Sequence, residues 1–121
     1  MPGQRILLVE DELLVRDVLE HVLLTEGYEV VTASTVAEAM ACLDRRGLYA
    51  LVITDWRLPD GDGLLIAEAG AELGAKTFVM SGYLFQMPGG LTERHETLMK
   101  PVRPSEIVAT VERAIGKAVS C

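Results

Sequence analysis

Four short apolar runs in this chain end on residues able to do chemistry. The run at residues 5–9 meets Glu10, Asp11 and Glu12, "VITD" ends on Asp55, "FVMS" on Ser81 and "TLMK" on Lys100. Carboxylates from two such runs, brought together, make a hard oxygen site. Magnesium prefers that kind of site, with few protein carboxylates and several waters. A hydroxyl and an ammonium beside it add donors for an anion. Together these groups describe a pocket for a phosphoryl group held by a divalent cation. The stretch after Asp55, "WRLPDGDG", is turn chemistry: Pro59, Asp60 and Gly61 suit a tight turn, and Gly63 permits close backbone approach.

For these groups to meet, the runs must be neighbouring strands that end on the same side. Residues 5–10 read as a short strand. Residues 13–27 follow as a helix with Val15, Val18, Leu19 and Val22 on one face and Gly27 where a left-handed C-terminal residue belongs. Residues 28–34 alternate enough for a strand. Thr35 with Glu38 is a capping box, Val36, Ala39, Met40 and Leu43 form the next apolar stripe, and Gly47 stops it. Residues 50–55 are apolar on both faces, so they are covered on both sides. A helix is predicted from residue 63 to about 73, strands at 76–81 and 96–99, and a last helix after Pro104 with Ile107, Val111, Ala114 and Ile115 inward. Strand and helix alternate about five times. Parallel strands need right-handed crossovers, so an open, doubly wound α/β sheet follows, with ligands beyond the carboxyl ends of its strands.

The bulk composition fits. The chain has 121 residues, about one domain, with half of them hydrophobic and 5% aromatic. A net charge of −7, from 11 basic and 18 acidic residues, argues against wrapping a phosphate backbone, so no nucleic-acid partner is expected. No apolar stretch is long enough to span a bilayer, and no signal peptide is recognised. Cys42 falls on the apolar side of a helical pattern, as a buried free thiol, and a reduced cytoplasmic setting fits best.

Each candidate alone has a bland reading. An acid at a strand end is usually a cap or a solvated charge, an Asp before a Pro–Asp–Gly turn often serves the turn, and serine ends many strands. His21 and His95 have no partner at metal-ligand spacing, and Trp56 reads as packing at the rim. The joint placement of the four runs is what points to chemistry.

The motifs "LLVEDE", "VITDWRLPDGDG", "MSGY" and "KPVRPSE", in this order and each at a predicted strand end, resemble the receiver domain of two-component response regulators over nearly the whole chain. The resemblance implies a flavodoxin-like five-stranded parallel sheet of order 2-1-3-4-5 with helices on both faces, and one domain over residues 1–121. It implies that Asp55 is the phosphoacceptor, that Glu10 and Asp11 are the metal-binding acids with Asp55 and the backbone carbonyl of Arg57, and that Mg2+ is the ion. Ser81 and Lys100 would contact phosphoryl oxygens, and the Lys100–Pro101 peptide would be cis. The donor would be a histidine kinase or histidine phosphotransfer protein, and a downstream protein partner would read a monomer or weak dimer. The domain is expected to stand alone as a phosphate shuttle, a sink or a contact switch, or to derive from a hybrid kinase, with no activity beyond its own phosphorylation and slow dephosphorylation.

Three features depart from the family pattern. Glu10 replaces the commoner Asp. Thr97 stands where the family carries a Tyr or Phe. The stretch between Ser81 and Lys100 is short and contains Pro88, Gly89 and Gly90, so the helix expected there is short or irregular, because Pro costs ~3 kcal/mol and Gly about 1 kcal/mol in a helix interior. Residues 83–96 are therefore expected to be the mobile output surface, with Tyr83 as the moving aromatic. Two rivals stand beside this reading. One is a receiver-like interaction module that is never phosphorylated. The other is an aspartate-nucleophile phosphohydrolase, against which stands Arg57 where that class carries a second Asp.

Overall fold

The computed structural model describes residues 4–45, 48–82 and 95–117. Gly47 and most of the expected output segment, residues 83–94, lie outside them, so neither the helix stop at Gly47 nor the irregular crossover and moving Tyr83 is addressed. The described elements run β1 (Arg5–Val9), α1 (Leu13–Thr25), β2 (Glu29–Ala33), α2 (Val36–Asp44), β3 (Leu51–Asp55), β4 (Arg57–Leu58), β5 (Gly61–Asp62), α3 (Gly63–Glu72), β6 (Lys76–Ser81), β7 (Glu96–Met99) and α4 (Pro104–Ile115).

Five strands form one parallel sheet in the order β2-β1-β3-β6-β7, the predicted doubly wound topology. Strand alternation sorts the apolar residues. Ile6, Leu8, Leu51, Ile53, Phe78, Met80 and Leu98 pack with Leu19 and Leu23 of α1 and with Ile107 and Val111 of α4. Leu7, Val9 and Val52 pack with Ala39 and Leu43 of α2 and Ile66 of α3. Helices therefore cover both faces, and β3 is buried throughout, which explains its lack of polar alternation. Gly70 lets α3 lie close to β3: a Cβ there would sit 2.8 Å from Val52 Cγ2.

The chain leaves β1 toward β2, then crosses back to β3 on the other side. The switch point therefore falls between β1 and β3, and the crevice opens at their carboxyl ends. The register delivers the candidates there. Val9 pairs with Thr54, so Glu10 and Asp55 emerge side by side. Asp55 pairs with Met80, and Ser81 with Met99, which places Lys100 next along.

Two expectations need correction. The inward face of α1 is centred on Leu19 and Leu23, with Val15 and Val22 partly buried, while Val18 is 50% exposed. Leu19 and Leu23 are one turn apart and line up with the sheet, whereas Val18 falls on the flank. Leu23→Ala should accordingly destabilise the chain by about 2–5 kcal/mol in urea unfolding, and Val18→Ala by less than about 0.5 kcal/mol. The reverse order would restore the face predicted from sequence. Cys42 is only partly buried, against the α2–α3 cluster.

The capping box at α2 forms with one change. Thr35 Oγ1 accepts from Glu38 N at 3.0 Å, but Glu38 reaches back to Ser34, accepting from both its N and its Oγ at 2.8 Å. Gly27 follows α1 with φ +98°, as its position predicted.

Candidate functional site

The turn after β3 is a small antiparallel hairpin, β4–β5, closed through Pro59 and Asp60. Its root is fixed against the sheet. Trp56 N donates to Met80 O at 2.9 Å, and Gly63 N donates to Trp56 O at 2.7 Å. Gly63 is required there, because a Cβ would lie 1.8 Å from Asp55 O. Asp62 caps α3 by accepting from Leu64 N at 2.8 Å. Trp56 is buried with Ala67 and Val79, and the Arg57 guanidinium stacks 4.6 Å from the centre of its ring.

The structure brings Glu10, Asp11 and Asp55 together: one carboxylate oxygen of each lies within 4.8 Å of the others. Glu10 and Asp55 are buried, and Asp11 is exposed. Lys100 Nζ lies 2.9 Å from Glu10 Oε1 and 2.8 Å from Asp55 Oδ1. Glu10 Oε2 accepts from Glu12 N at 3.1 Å. Asp55 Oδ2 is buried, and no N–H or hydroxyl group among the described residues donates to it. Ser81 is buried at the end of β6, where its carbonyl accepts from Lys100 N at 3.0 Å. The Lys100–Pro101 peptide is cis. A cavity of about 240 Å3 lies over these groups, lined by Asp11, Asp55, Arg57, Ser81, Gly82 and Lys100. A water occupies about 30 Å3 of liquid, so this is room for a phosphoryl group and several waters.

Two buried carboxylates face one ammonium. Burial pushes the Asp55 carboxyl up to about 8; Glu10 adds to the shift and Lys100 opposes it. Burial also acts to raise Glu10, but its hydrogen bonds with Asp55, Lys100 and the Glu12 amide outweigh that and hold it below the usual carboxylate range. Burial acts to lower Lys100, and its two carboxylate partners outweigh it, so the ammonium is held above its ordinary value. The site is short of positive charge: two carboxyl groups share one ammonium. That donor set suits a small divalent cation.

The model of the response regulator receiver domain family matches residues 6–83, which take in Glu10, Asp11, Asp55, Arg57 and Ser81. The chain belongs to the response regulator receiver domain family. The receiver is 34% identical to the two-component response regulator ARR11 of Arabidopsis thaliana over 120 residues, 95% of this chain and 23% of that protein. It is 25% identical to the sensor protein TorS of Escherichia coli over 107 residues, 88% of this chain and 12% of that protein. The chain thus spans well under two thirds of these relatives. Among solved structures it is similar to a CheY-like receiver domain protein from Methanospirillum hungatei, with 28% identity and a TM-score of 0.81 over 93% of each chain. It is also similar to the receiver domain of the hybrid histidine kinase CckA, with 30% identity and a TM-score of 0.78 over 92% of this chain and 98% of that one. Among the described residues, no helix is long and apolar enough to cross a membrane.

Sequence reasoning passed over two residues of this receiver. His95 is buried just before β7, at the opposite end of the sheet from Asp55. Its Nδ1 is hydrogen-bonded to Thr77 Oγ1, and its Nε2 lies 3.8 Å from Glu68 Oε1. Thr77 and Glu68 are 18 and 27 residues away in sequence, so no local pattern announces them. The second is Asp60, which reads as a turn residue and has a further contact described below.

Proposed function

We propose that this receiver takes a phosphoryl group from a phosphohistidine donor, a histidine kinase or histidine phosphotransfer protein, onto Asp55, and then alters its contacts with a protein partner. The observation that carries the reading is Asp55 Oδ2: a buried carboxylate oxygen with no N–H or hydroxyl donor among the described residues, beside the Lys100 ammonium and under a cavity of phosphoryl size. An Asp55 oxygen attacks phosphorus, the phosphorus–nitrogen bond breaks, and its electron pair returns to the imidazole of the donor. Such a transfer needs positioning and charge neutralisation more than covalent help.

Glu10, Asp11, Asp55 and the backbone carbonyl of Arg57 would hold Mg2+. The bound ion would supply positive charge against the phosphoryl oxygens. Lys100, already 2.8 Å from Asp55 Oδ1, exchanges that contact for a phosphoryl oxygen, and the Ser81 hydroxyl donates to another. The family match and the absence of a membrane-spanning helix among the described residues support a cytoplasmic site of action.

Incubation with acetyl phosphate and magnesium, followed by intact mass, tests this. The mass should rise by one phosphoryl group, and chelation of the metal should prevent it. Asp11→Asn should lose most of the gain in melting temperature that magnesium gives the wild-type chain, since the ion binds only the folded form. A phosphoryl adduct formed equally without metal, or a full magnesium gain in Asp11→Asn, contradicts the proposed site.

A further inference from the structure

The tip of the β4–β5 hairpin is tied to α2, a helix that contributes none of the residues lining the site. Asp60 Oδ1 accepts from Val36 N at 2.7 Å, and Asp60 Oδ2 accepts from Ala37 N at 3.0 Å. The first amides of a helix have no intrahelical acceptor. In α2 all three leading amides are supplied from outside the helical ladder, Val36 and Ala37 by Asp60 and Glu38 by Thr35 Oγ1, while Ala39 N already bonds to Thr35 O. Two of the three come from a residue 23 and 24 positions further along the chain. The contact is also close in packing: a Cβ on Gly61 would lie 3.4 Å from Val36 Cγ2, and Gly61 has φ +156°. These two amide bonds hold the Asp60 carboxyl below the usual carboxylate range although it is exposed.

The hairpin has only two residues in each strand. Isolated two-stranded hairpins are marginal in water even when much longer, so its shape is set by its attachments. One is the root, where Gly63 N bonds Trp56 O. The other is the tip, on α2. Between them stands Arg57, paired with Asp62 across the hairpin.

We infer that Asp60 is a positioning residue: by clamping the hairpin tip to the amino end of α2 it fixes the Arg57 carbonyl beside Asp55, and so sets the divalent-cation affinity of the acidic cluster. This rests on the magnesium reading above. It makes α2 a mechanical part of the site. Outer groups that orient the ligands of a metal typically change its affinity 10–100-fold when removed.

Thr35→Ala is the control, because it weakens the same helix end without touching the hairpin. Magnesium is titrated against the full chain by the fluorescence of Trp56, its only tryptophan, which adjoins Asp55. Hydrogen exchange of the Gly63 amide is measured in parallel, without metal. Asp60→Ala should raise the half-saturating magnesium concentration about tenfold and speed Gly63 exchange, Asp60→Asn should fall between it and wild type, and Thr35→Ala should stay within about twofold of wild type on both readouts. Asp60→Ala behaving as wild type, or Thr35→Ala matching it, overturns the inference. If the wild-type chain shows no magnesium response, the metal reading fails by itself. Gly63 exchange then decides: unchanged protection in Asp60→Ala refutes the clamp, and loss confined to that variant supports it.

Discussion

Replacing Gly63 by alanine should cost this receiver more than about 4 kcal/mol of stability. The added Cβ would fall 1.8 Å from Asp55 O, 2.9 Å from Asp55 C and 2.9 Å from Thr54 Oγ1. Two of these are backbone atoms of a fully buried strand, so no side-chain rotation relieves the overlap. Either the hairpin root or the end of β3 must move, and the bond from Gly63 N to Trp56 O goes with it. Gly70→Ala is the graded comparison. Its new Cβ meets Val52 Cγ2 at 2.8 Å, a side-chain contact that can partly relax, so about 1–3 kcal/mol is expected. Urea unfolding of both variants measures the difference. A Gly63→Ala loss below that of Gly70→Ala would mean that the approach at Asp55 is not a fixed feature of the fold.

Asp55→Asn should abolish phosphoryl uptake and at the same time stabilise the chain. An amide is not a competent nucleophile toward phosphorus under these conditions, so the adduct on intact mass should vanish. A residual adduct of the same yield would place the acceptor elsewhere. The stability effect follows from charge. Asp55 has a folded pKa of about 8, above its ordinary 3.8. A carboxyl raised in this way binds more protons folded than unfolded. Its contribution to stability is therefore complete below about pH 4 and is lost as pH rises through about 8. Asparagine has no such loss, and Lys100 keeps Glu10 as its partner. The variant should gain about 2 kcal/mol over wild type at pH 8 in the absence of metal, and the gain should shrink toward pH 5. A gain that grows on acidification has the wrong sign and would rule out the buried-charge account. The same charge deficit is what a divalent ion would relieve.

The sequence by itself determined the alternation of strands and helices, because period-2 and period-3.6 apolar patterns and the Gly and Pro punctuation are local. The strands at residues 76–81 and 96–99 match β6 and β7 in full, and the fully apolar run ending at Asp55 could only be a strand covered on both sides. The candidate acids, Ser81 and Lys100 were legible because strand ends in a parallel sheet point to one crevice. The tertiary structure alone decided the rest. Which flank of α1 meets the sheet depends on the angle at which the helix lies, so Leu23 replaced Val18 in the core. The burial that raises Asp55 comes from the strands and helices around it, and no spacing encodes it. His95 finds Thr77 and Glu68, and Asp60 finds the amides of Val36 and Ala37, across separations of 18 residues or more. Such contacts are fixed by how layers pack, and a one-dimensional pattern carries no record of which loop will land on which helix end.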